Sequence, residues 1–364
     1  MDRSQISVGR ATLGSAVRSR RKSRSQRQSM RSVFGVASRL GLTPALTTQR
    51  LNTSRKPYKS QTITEKINPE HLALLVKRQW KLSYVTPLYQ FRHTQMTTYA
   101  RRLSAFIAAE KQKGLAVEVG ELQDTFKVCF SVLQGMSEAK DDPEAVLIQV
   151  KSRPMFAKQD EPQKTVWSGW LACVDGNPEY LNSLPTDFTC LPLFGSNGAE
   201  GLSSLVKSWF QINFDCCFGP LDIGETSLEW LAALWTNCNG KSNIQSLKMH
   251  WTIPAVHALH VEYTVSADDA WALWCSIRGR SLEESNGTEE EGCIDIEEVK
   301  SFMQGLMGHF YRHFRLDLST GNLNQISTAL GSATLNDRIK VSTSIYLIST
   351  LRLLTELALL RLPI

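Results

Sequence analysis

His309 and His313 stand four residues apart in HFYRHF, the spacing at which two imidazoles on one helix can hold a single metal ion. The residues between them are Phe-Tyr-Arg, without the glutamate that a zinc protease places there, and no third ligand is evident. Both histidines border the apolar stripe of Phe302, Leu306 and Phe310, so the expectation is two packed boundary residues. Paired carboxylates occur at Asp141-Asp142 and Glu289-Glu290-Glu291, in polar, turn-like sequence where a solvated loop is the ordinary reading. A catalytic carboxylate would need a pocket that shifts its pKa. Neither GxxxxGK[ST] nor GxGxxG is present to cradle phosphates, and no GxSxG elbow presents a serine. The eight cysteines are scattered through apolar segments without a CxxC pair. Reduced thiols in a reducing compartment are expected. The chemistry-bearing residues therefore point to no enzyme, no cofactor, no metal and no small-molecule substrate.

Charge is more telling. The first sixty residues hold fourteen Lys or Arg and one acid, Asp2, whereas the remaining 304 carry 27 Lys or Arg against 34 Asp or Glu. The formal net charge of +6 is thus +13 on a tail and −7 on a body. Residues 1–62 are rich in Ser, Thr, Arg and Gln and cannot bury enough apolar surface to offset the entropy of ordering, so they read as a disordered basic tail. Its cluster of Arg18, Arg20, Arg21, Lys22, Arg24 and Arg27 can neutralise nucleic-acid phosphates or be read by a nuclear import receptor. An Arg- and Ser-rich, acid-poor leader also fits a mitochondrial presequence. That leaves a second reading, a mitochondrially targeted α+β enzyme whose basic tail is cleaved.

Residues 63–364 must supply the fold. Asn68-Pro69 opens a helix expected over 69–81, with Leu72, Leu75, Val76 and Trp80 on one face. Pro87 within YVTPLYQF suggests an edge strand. A helix over 94–113 carries Tyr99, Leu103, Phe106 and Ile107. Strand-like runs at 115–119, 126–133, 145–150 and 165–174 are close enough for an antiparallel meander. A shorter run at 187–194 turns through Ser196-Asn197-Gly198 into a helix bearing Leu202, Leu205, Val206, Trp209 and Phe210. A helix at 226–237, strands at 246–253 and 258–265, and a helix opened by Ser266 with Asp269 as a capping box come next. After an acidic loop at 283–292, a helix spans about 295–314 and strand-like segments fall near 323–330 and 338–343. With no βαβ rhythm, the fold class is α+β, a largely antiparallel twisted sheet packed with helices. No run is long and apolar enough for a bilayer, so no membrane is expected.

The last segment, SIYLISTLRLLTELALLRL, reads as a helix with a narrow polar stripe of Ser349, Arg352 and Glu356. Its apolar arc, including Leu347, Leu351, Leu354, Leu357 and Leu360, exceeds what one sheet face needs to cover. Either the helix is buried centrally or another chain completes it; half core and half protein interface is the expectation. Edge strands near 323–343 would add a route for pairing with a partner.

Specific runs carry a resemblance. Gln79-Trp80 with TPLYQF (86–91), FIAAEKQKGLAVEVGE (106–121), DPEAVLIQV (142–150), DFTCLPLF with NGAE (187–200), WFQINFDCCFGPL (209–221), AALWT (232–236), HFYRHF (309–314) and YLISTLRLLTELA (346–358) resemble the vertebrate centromere protein L family. That family belongs to the constitutive centromere-associated network of the inner kinetochore, and the likeness covers about 67–360. It implies a non-enzymatic nuclear subunit at the centromere that pairs with centromere protein N through the C-terminal parts of both chains, here 240–364. Centromere protein C and the H–I–K–M group are implied as further partners, with the centromeric nucleosome and DNA inside the assembly. The tail differs from the family except for its basic character and Thr43-Pro44, a step that proline-directed kinases can modify.

Overall fold

The computed structural model describes residues 54–55, 69–112, 126–136, 142–152, 163–237, 246–279, 294–344 and 346–362. Arg50–Pro363 forms one compact unit, and the following concerns that unit alone. The elements in order are β1 (Ser54–Arg55), α1 (Pro69–Leu75), β2 (Gln79–Val85), β3 (Leu88–Tyr89), α2 (Met96–Gln112), β4 (Phe126–Leu133), β5 (Ala145–Ser152) and β6 (Lys164–Ala172). Then come α3 (Pro178–Ser183), β7 (Phe188–Thr189), β8 (Leu193–Gly198), α4 (Glu200–Phe214), β9 (Phe218–Pro220) and α5 (Glu225–Asn237). The C-terminal part adds β10 (Leu247–Ile253), β11 (Leu259–Val265), α6 (Ala267–Ile277), β12 (Ile294–Asp295), α7 (Ile296–Phe314), β13 (Asn322–Ser327), β14 (Gly331–Thr334), β15 (Arg338–Val341) and α8 (Leu347–Leu359).

One 11-stranded sheet dominates, in the order β11-β10-β13-β14-β15-β2-β8-β6-β5-β4, with β9 pairing off β2. Its pairings are antiparallel, as the absence of βαβ units implied. The meander β4-β5-β6 follows the expected runs closely because its three strands are consecutive in the chain and pair with their neighbours in sequence. β12 pairs with β1, so Ser54 and Arg55 are backbone-bonded beside the start of α7.

The helix expected over 69–81 ends at Leu75. Lys77 adopts a left-handed φ of 65°, the chain reverses, and Trp80 begins β2 with its indole Nε1 donating to the carbonyl oxygen of Leu75 at 2.8 Å. Trp80 thus caps the helix it had seemed to extend. β2 is no edge strand: it lies between β15 and β8, and Pro87 falls in the break after it. Ser196-Asn197-Gly198 is the end of β8 instead of a turn, with Gly198 at φ +130° where a β-carbon would stand 2.7 Å from the Val166 carbonyl oxygen. The 115–119 run and the 283–292 loop lie outside the described residues.

The sheet's two faces differ. One is apolar along its whole length: Met249, Trp251, Ile326, Ala333, Ile339, Leu82, Trp170 and Leu147 join a single core cluster with α5, α6, α7 and α8. Among the described residues, the opposite face is covered by helices at the β8-to-β4 end, where Phe194, Leu171, Ile148 and Val150 pack under α2 and α4. Toward β11 the described side chains of this face are polar.

Candidate interaction surfaces

The C-terminal helix decides where partners can bind. α8 packs against β2 and β8. Leu347 and Leu351 are each 3 % exposed and Leu354 is fully buried, all three inside the chain's own core. Leu357 packs half-buried against the same cluster, and Leu360 is 36 % exposed. The polar stripe is partly internal as well: Ser349 is buried, Arg352 and Glu356 are half-buried, and Thr355 Oγ1 accepts from the Val174 N–H. Of the five leucines expected to serve a partner, only Leu357 and Leu360 keep surface to offer. The wide apolar arc reflects burial in the chain's own core, where α8 packs on β2 and β8 and Thr350 Oγ1 accepts from Trp235 Nε1 of α5.

The free edge is elsewhere than expected. β13, β14 and β15 are interior strands, each hydrogen-bonded on both sides. The sheet ends at β11, which pairs only with β10 among the described strands. Alternation in LKMHWTI and LHVEYTV buries one side of each strand, and the Ser266 hydroxyl, accepting from the Asp269 N–H at 3.1 Å, starts α6 and stops β11. Tyr263 of β11 is buried, and burial, with the Asp269 charge second, raises its phenol pKa. Its hydroxyl lies 2.8 Å from His309 Nδ1 on α7, and its ring meets Phe310 edge-on at 4.9 Å. Phe310 in turn stacks on Phe314 at 4.6 Å. Phe314 is 64 % exposed, Tyr311 is exposed beside it, and Leu259 is exposed on β11 itself. An unpaired strand edge therefore runs past a surface aromatic cluster, a combination suited to strand addition.

The second surface is this polar sheet face. Register places Lys248, His250 and Thr252 of β10 opposite Thr264, Glu262 and His260 of β11. On the other side of β10, the same face continues through Gln325 and Ser327 to Ser332, then Lys340 and Arg338, then Gln79 and Lys81. Every one of these side chains is polar and at least partly exposed. Six strands at about 4.8 Å spacing make this face about 24 Å across. Lys248 pairs with Glu262 at 3.4 Å, and Lys81 with Glu200 at 3.0 Å. Arg338 and Lys340 make no ion pair with the described residues, so the face is locally cationic on a body of net negative charge.

His309 and His313 are both exposed, their rings 4.5 Å apart, and His309 lies against Tyr263 at the edge of the core. Among the described residues no three His, Cys, Asp or Glu converge as a metal site. Among the described residues Cys129, Cys173, Cys190, Cys216, Cys217 and Cys275 are free thiols. Burial pushes the Cys190 and Cys216 thiols up to about 12. No described helix is long and apolar enough to cross a membrane. The tail cluster Arg18–Arg27 lies outside the described residues.

What this molecule offers is surface: a strand edge with aromatics beside it and a broad polar sheet face, features of the interaction class of protein. Residues 74–359 match the family model described as centromere protein L. Zebrafish (Danio rerio) centromere protein L is 49% identical over 359 residues, covering 98% of this chain and 96% of that protein. The rat (Rattus norvegicus) and human (Homo sapiens) proteins of the same name are 41% and 40% identical over 305 residues, covering 84% of this chain and 85% of each. The chain belongs to the centromere protein L family and is a centromere protein of the kinetochore. The reading as a mitochondrially targeted enzyme finds no support among these relatives.

Proposed function

We propose that this chain is a non-enzymatic structural subunit of the inner kinetochore that works in the nucleus as a heterodimer with centromere protein N. The heterodimer helps anchor the centromere-associated network, including centromere protein C and the H–I–K–M group, on centromeric nucleosomes and DNA. Kinetochore assembly and chromosome segregation follow from that anchorage. The observation that carries the reading is the open end of the sheet. β10, β11, β13, β14 and β15 all come from 240–364, so this C-terminal part builds both the sheet edge at β11 and most of the polar, cation-bearing face. The edge supplies unpaired backbone groups for a partner strand, with Leu259 and Phe314 as exposed apolar anchors beside it. The face supplies Arg338 and Lys340, which pair with no described carboxylate, for phosphates, and the tail cluster Arg18–Arg27 is a second DNA contact or an import signal.

Co-expression tests the pairing. The wild-type chain should co-elute with centromere protein N on gel filtration. Leu259→Lys with Phe314→Asp should abolish co-elution and leave the circular-dichroism spectrum unchanged, since both side chains are exposed. Wild-type chain eluting alone would sink the heterodimer; intact co-elution of the variant would move the interface to Leu357, Leu360 or the β4 edge.

A further inference from the structure

We infer that His309 and His313 form a surface chelate for a borderline divalent ion of the zinc class. The two imidazoles lie one turn apart in the last turns of α7, both exposed, with ring centroids at 4.5 Å. That is the arrangement in which successive turns of a helix direct two ring nitrogens at one ion. A second observation separates this pair from two chance neighbours. His309 Nδ1 is held 2.8 Å from the hydroxyl of Tyr263, and the rings lie nearly parallel, 20° apart. Metal-binding histidines characteristically engage their second nitrogen in this way, which fixes the ring and the tautomer. With Nδ1–H donating to the tyrosine oxygen, Nε2 presents its lone pair outward. Tyr263 is itself buried in β11 and packed against Phe310, so the group that orients His309 is rigid.

Two imidazoles fill two positions of a tetrahedral ion. The others face solvent, where water or a group on a second chain completes them, because no third His, Cys, Asp or Glu converges there among the described residues. Imidazole donors favour Zn²⁺, Ni²⁺ and Cu²⁺ over Mg²⁺ or Ca²⁺. Arg312 and Arg315 stand beside the pair in the chain, so the hold on a dication is weakened by repulsion.

The test titrates Zn²⁺ alone into the full chain, kept reduced, while the histidine ring signals are followed by NMR. The signals of His309 and His313 should move first and together. His313→Ala and His309→Ala should each weaken that binding at least about tenfold, and Tyr263→Phe, which leaves both ligands in place, by about tenfold. Amide spectra matching the wild type certify that each variant is folded. The proposal fails if Zn²⁺ moves other histidines first, or if neither histidine variant alters the affinity, which would assign binding to the thiols. Unchanged affinity in Tyr263→Phe would remove the orienting role claimed for the tyrosine.

Discussion

The indole of Trp170 lies across Gly195, its register partner on the neighbouring strand, so closely that a β-carbon at 195 would come within 2.3 Å of the ring. The same indole meets Trp80 edge-on at 5.9 Å, which links β6, β8 and β2 at the middle of the sheet. Gly195→Ala should therefore overpack this junction and cost about 1–3 kcal/mol. Urea unfolding of the variant checks it; an unchanged midpoint would mean the indole has room to move.

The C-terminal leucines should separate into two classes. Leu354→Ala opens a cavity in the core and should cost about 2–5 kcal/mol. Leu360→Ala, at the exposed end of the helix, should fall within about 0.5 kcal/mol of wild type in the isolated chain. Thermal melts compare them directly, and equal losses would place Leu360 in the core too.

Glu229 of α5 gives a pH signature. Burial, followed by the Glu225 charge, raises its carboxyl pKa, with Lys300 partly opposing. A carboxyl raised on folding contributes stability that is fully present below its unfolded pKa and lost as pH rises through the folded one. Glu229→Gln should then be more stable than wild type at pH 8, the gain shrinking as pH falls toward 4. Urea midpoints at the two extremes read this out; a gain independent of pH would assign the effect to packing.

Salt dependence should locate the contacts with DNA. If the polar face binds phosphates, Arg338→Ala and Lys340→Ala should each flatten the log–log salt slope by about 0.9. Deleting residues 1–60 measures the tail by the same scale. A slope altered only by the deletion would restrict DNA contact to the tail.

The sequence by itself determined what depends on neighbours along the chain. The helices at 96–112, 200–214, 225–237, 267–277 and 296–314 follow from apolar spacing and from caps such as Ser266, and the β4-β5-β6 meander from three consecutive strand-like runs. Family membership was legible too, through runs as specific as WFQINFDCCFGPL. Tertiary structure decided what depends on partners distant in the chain. Periodicity put Trp80 on a helix, yet a left-handed Lys77 turned it into the centre of a sheet between strands from 193–198 and 338–341. Alternation shows that a strand has two faces, but only register shows that the polar sides of six strands coincide on one face of the sheet. The burial of Leu354 and the opening of β11 follow from the same cause: a side chain's exposure is set by what packs over it, and strand order is a matter of long-range pairing.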